Sequence, residues 1–185
     1  MSDCCSSAPP DAAGSAQTIT TSSTPATGSC PACRDTGRIV EHRTMFQMLK
    51  PKLFSQLGNG EFYFCQEPTC PIVYYSRGGD VEFSTDDLRV EVGVKMQGDP
   101  SAKVCYCFGY TEGMIAEELL STGKTTIPKK ITQLTKTGMC ACEVRNPAGV
   151  CCLGNVNKVV KRLSEEYKMP EVRQASATTH DCCSR

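Results

Sequence analysis

The 185-residue sequence has no tryptophan, only two histidines, and no excess of either charge, with 20 Lys and Arg against 20 Asp and Glu. Each scarcity excludes something. Nucleic acid is a poor partner for a chain without basic excess, because phosphates demand a cationic surface. No apolar run reaches about 18 residues, so no membrane span is expected. The opening, MSDCCSSAPPDAAGSAQTITTSSTPATGS, has neither a basic start nor an apolar stretch. It does not read as a signal peptide, and a cytoplasmic location is expected. His42 and His180 sit in no recognisable acid–base or nucleophile arrangement, which argues against an enzyme.

What the chain has is cysteine, 14 in all. An apolar fraction of 39% supports only a modest core, and modest cores usually need a staple. In a reducing compartment, clustered thiols more often serve metal or redox chemistry than disulfides. Cys4 and Cys5 open the chain and Cys182 and Cys183 close it. Between them lie Cys30, Cys33, Cys65 and Cys70, then Cys105, Cys107, Cys140, Cys142, Cys151 and Cys152.

Residues 1–29 are rich in Ser, Thr, Ala, Pro and Gly and read as a disordered arm, and 169–185 read as a disordered tail. Residues 30–100 carry short β-prone runs (EFYFC, PIVYYS, VEFS and LRVEVGVK) and one helix in HRTMFQMLK, with Thr44 as N-cap and Gln47 completing a capping box. Pro51 limits that helix. Residues 101–168 begin with the strand-like KVCYCFG. Three helical stretches follow: one between Thr111 and Gly123, one carrying Ile127, Ile131 and Leu134, and one carrying Val156, Val159, Val160 and Leu163. The expected class is α+β: a small antiparallel sheet with one helix, then a domain of short helices.

Cys30-Pro-Ala-Cys33 is a knuckle that points two thiolates at one ion, and Cys65 and Cys70 supply a second pair at a Pro-containing turn. Four thiolates at that spacing fit a closed, structural zinc site. A rubredoxin-like iron is the alternative, disfavoured because the second pair lacks the two-residue gap. Cys105-Tyr-Cys107 has a one-residue gap that places two thiolates on one iron of a 2Fe-2S cluster, with the second iron held by two of Cys140, Cys142, Cys151 and Cys152. The helix starts after Cys107 and Cys152 are expected to face that anionic cluster, and Tyr106 to shield it from water.

The stretches VCYCFGYTEGMI and GMCACEVRNPAGVCCLGNV resemble the bacterioferritin-associated-ferredoxin-like 2Fe-2S domain, and more closely the N-terminal module of CopZ-type copper chaperones. CPAC, FYFCQEPTCPIVYY and LRVEVGVK resemble the zinc-binding part of that module. The resemblance spans about residues 29–168. It implies zinc on Cys30, Cys33, Cys65 and Cys70 and a cluster on Cys105, Cys107, Cys142 and Cys152. It also implies copper as cargo, with one-electron conversion of Cu(II) to Cu(I), and a copper-transporting ATPase or a redox protein as partner. One departure matters: the Met-x-Cys-x-x-Cys loop of the family's copper-binding module does not occur here. Cys4, Cys5, Cys182 and Cys183 are soft thiol pairs suited to Cu(I) and are expected to stand in for that module in metal capture. A ferredoxin-like carrier for a reductase or iron-storage partner is the alternative function, and a stress-sensing adaptor a third.

Overall fold

The computed structural model describes residues 28–168. Both arms, and with them Cys4, Cys5, Cys182 and Cys183, lie outside the described residues. Four strands form one antiparallel sheet in the order β1 (Arg38–Val40), β2 (Phe62–Phe64), β3 (Ile72–Ser76) and β4 (Glu82–Ser84). Alternation gives β2 two apolar faces. Phe62 and Phe64 join a core with Met45, Leu49, Tyr74 and Phe83, under helix α1 (His42–Met48). Tyr63 and Cys65 point the other way, into a cluster with Cys30, Cys70, Ile72 and Tyr75.

The second half opens with the short pair β5 (Lys103–Cys105) and β6 (Tyr110–Thr111). Helices α2 (Glu112–Thr122), α3 (Ile127–Lys136), α4 (Cys142–Arg145) and α5 (Leu153–Lys168) follow. Ile115, Ile127, Ile131 and Val156 meet Val104 and Cys105 in a separate core. Thr111 caps α2 through its hydroxyl, and Gly123 and Gly138 adopt left-handed φ where α2 and α3 stop, as their sequence predicts. No helix among the described residues is long and apolar enough to cross a membrane.

Two sequence expectations fail here. The N-cap of α1 is Glu41, and Thr44 is buried within the helix, where its hydroxyl donates to the Glu143 carbonyl at 2.5 Å. A capping pattern and a packing position look alike in one dimension. The LRVEVGVK run is not a strand but an irregular path ending in a 3₁₀ turn at Gly93–Met96. Gly93 explains this: its backbone lies so close to Lys103 that an added Cβ would sit 2.0 Å from the Lys103 carbonyl oxygen. Its N–H goes to the Tyr106 hydroxyl rather than to a sheet.

Glu118 ties the α2–α3 turn. Its carboxylate accepts from the Thr126 N–H and the Thr125 hydroxyl and pairs with Lys130, which together hold its pKa down at about 2. The folded value lies below the ordinary 4.5, so the stabilisation is complete above pH 4.5 and is lost as pH falls towards about 2. Glu118→Gln is expected to lower the urea midpoint at pH 7, and the gap to the parent protein to close across that acidic window.

Candidate metal centres

The first centre follows from strand topology. Arg38 of β1 pairs with Phe64 of β2. The knuckle just before β1 therefore abuts Cys65 just after β2, and the β2–β3 connection returns Cys70 to the same end of the sheet. The four sulfurs of Cys30, Cys33, Cys65 and Cys70 lie within 4.8 Å of one another. Cys30–Cys70 and Cys33–Cys65 are 3.7 Å and 3.6 Å apart. A tetrahedral ion with bonds near 2.3 Å needs edges of about 3.8 Å. The thiols fit zinc, and three of the four are buried.

Arg34 takes a left-handed φ of 69° and its N–H closes the knuckle on the Cys30 carbonyl. Tyr63 and Tyr75 stack at 5.6 Å beside the thiols, and the Tyr75 hydroxyl donates to the Gly28 carbonyl. Burial pushes the Cys65 thiol up, well above its ordinary range, so an uncompensated thiolate is disfavoured there. A cation held by the four thiols would supply the missing charge. Lys95 assists: its ammonium donates to the Glu67 carbonyl at 2.7 Å, within the loop between the ligand cysteines, and its charge favours the Cys65 thiolate. No pattern in the sequence marks Lys95, because it reaches the loop only through the 3₁₀ turn.

In the second set, Cys107 Sγ lies 3.5 Å from Cys142 Sγ, and Cys105 and Cys152 are buried in one core that Cys107 packs against. The neighbouring Cys152 thiol holds the Cys105 thiol below its ordinary range, and the Cys105 thiol, together with burial, raises Cys152. Burial and the neighbouring Cys107 push Cys142 up to about 12. Cys105, Cys142 and Cys152 are buried, Cys140 is half-buried and Cys151 is exposed.

The amides that serve this region also differ from expectation. The N–H groups of Glu112 and Gly113 go to the Ala102 and Pro100 carbonyls, and that of Met114 to the Thr111 hydroxyl. The first amides of α2 are therefore taken by the 100–102 segment and by the Thr111 cap. Instead the Ala141 N–H, just before α4, donates to Cys107 Sγ at 3.4 Å. Helix α4 is too short to show periodicity, which is why the sequence does not reveal it. Arg145 on α4 reaches the Cys107 carbonyl at 3.4 Å. Tyr106 is anchored by its hydroxyl, which accepts from the Gly93 N–H at 2.7 Å.

The cysteine-bearing 142–152 loop is fastened to the first half. Tyr74, fully buried in β3, donates its hydroxyl to the Pro147 carbonyl at 2.7 Å, and Gly149 packs on Thr44. Tyr74→Phe leaves that buried carbonyl unpaired and is expected to cost about 1–3 kcal/mol in urea unfolding.

Sheet, helices and a buried tetrahedral thiol quartet define a small metal-binding protein stapled by a zinc-binding domain. Residues 27–89 match the CopZ family model described as a zinc binding domain. The chain is 31% identical over 159 residues to the copper chaperone CopZ of Archaeoglobus fulgidus, covering 84% of this chain and 74% of that one. The X-ray structure of the Archaeoglobus fulgidus CopZ N-terminal domain matches with a TM-score of 0.58 and 32% identity, over 71% of this chain and 96% of that domain. This chain belongs to the CopZ family.

Proposed function

We propose that this protein is a non-enzymatic, cytoplasmic metallochaperone for copper. It holds a structural zinc on Cys30, Cys33, Cys65 and Cys70, and a 2Fe-2S cluster on Cys105, Cys107, Cys142 and Cys152. The observation that supports the cluster reading is the approach of Cys107 Sγ to Cys142 Sγ at 3.5 Å, with Cys105 and Cys152 buried in the core beside them. When bound, such a cluster supplies one reversible electron. The chain's own residues hold and screen it. The Ala141 N–H and the Arg145 guanidinium oppose its negative charge, and Tyr74 and Tyr106 pin the two ligand segments to the first half. Copper is cargo. The soft thiol pairs Cys4–Cys5 and Cys182–Cys183 suit Cu(I) and are its receivers, and a copper-transporting ATPase or a redox protein is its partner class.

The test is a Cu(I) titration against a chromophoric chelator, comparing the full chain with a variant in which Cys4, Cys5, Cys182 and Cys183 are serine. Expected is tight binding in the first and its loss in the second, with zinc content unchanged. Equal copper affinity in both would remove the tails from the function and favour the electron-carrier reading.

A further inference from the structure

We propose that the cleft between the two halves binds a small organic polycarboxylate. A cavity of ≈ 230 Å³ runs from Gln66, which follows the zinc-site residue Cys65, to Cys151 and Cys152 at the start of α5. Its walls include Val94, Val104 and Val150. Three cations line it, each from a different element: Arg38 from β1, Lys103 from β5 and Lys158 from α5. No Asp or Glu lines it. Among the described residues none of the three cations makes an ion pair. Asp35 and Glu67 share only an adjoining notch with Lys158.

Three like charges around one concavity repel one another and focus a positive potential into it. The charge calls for an anion, and the valine walls select which kind. A bare inorganic anion leaves the apolar wall wet, and a neutral hydrocarbon leaves the cations uncompensated. A short hydrocarbon body bearing two or three carboxylates satisfies both, with the Gln66 and Asn155 amides at hand to orient it. By touching the zinc loop and the start of α5 together, the ligand favours the docked arrangement of the halves.

The experiment is calorimetric titration of tricarballylate, a tricarboxylate without a chelating hydroxyl, into the zinc-loaded full chain at low salt. Expected is one saturable site that weakens as salt rises. Arg38→Gln, Lys103→Gln and Lys158→Gln are each expected to weaken it about fivefold. Lys52→Gln, outside the cavity, leaves it unchanged. Zinc content and circular dichroism show that each variant is folded. No saturation by about 10 mM, unchanged affinity in the triple variant, or equally tight binding of inorganic phosphate would each overturn the proposal. Iron and sulfide analysis of the same samples keeps this result separate from the fate of the cluster reading.

Discussion

Cys70→Ser is expected to release zinc and unfold the first half of the chain. Its thiol is buried at 5% exposure and forms one edge of the quartet with Cys30, 3.7 Å away. A hydroxyl is a poor zinc ligand in that position, and the three remaining thiols are left in an apolar pocket. Structural zinc sites carry about 10–16 kcal/mol of apparent binding free energy, nearly all of it folding free energy. A loss of even about 4 kcal/mol lowers the midpoint of a domain this size by roughly 15–30 °C. The damage should spread, because Tyr74 and Thr44 hold the 142–152 loop from the first half. A thermal melt with zinc analysis checks this. A variant that keeps its zinc and its midpoint would show that the quartet is not the staple.

The second large effect separates neighbouring cysteines. Cys142→Ser and Cys152→Ser are expected to abolish visible iron–sulfur absorption, whereas Cys140→Ser and Cys151→Ser leave it intact. Cys142 and Cys152 are 8% and 4% exposed; Cys142 faces the Cys107 thiol at 3.5 Å, and Cys152 shares a core with Cys105. Cys151 is exposed and Cys140 is half-buried. The residue number differs by one or two, but burial and partner differ completely. Visible spectra of the four variants, purified anaerobically, decide it; loss of the chromophore in Cys140→Ser or Cys151→Ser with retention in its neighbour would reverse the assignment.

Much of this was readable in one dimension. The knuckle and the second pair converge because β1 and β2 pair in register, and the helix ends at Thr111, Gly123 and Gly138 are set by local chemistry. What failed depended on distance in sequence. Thr44 is a packing residue because Glu143, 99 positions later, lies over it. The 88–96 run is not a strand because Lys103 crowds Gly93. Lys95 and Arg145 gain their positions from turns too short to leave a periodic trace.

The decisive measurement is metal and acid-labile sulfide content, with a visible spectrum, on anaerobically purified protein. Expected are about two iron, two sulfide and one zinc per chain, the iron and sulfide lost together in Cys142→Ser while zinc stays. Zinc alone, without sulfide or visible absorption, would contradict the two-centre reading and leave a zinc-stapled thiol protein.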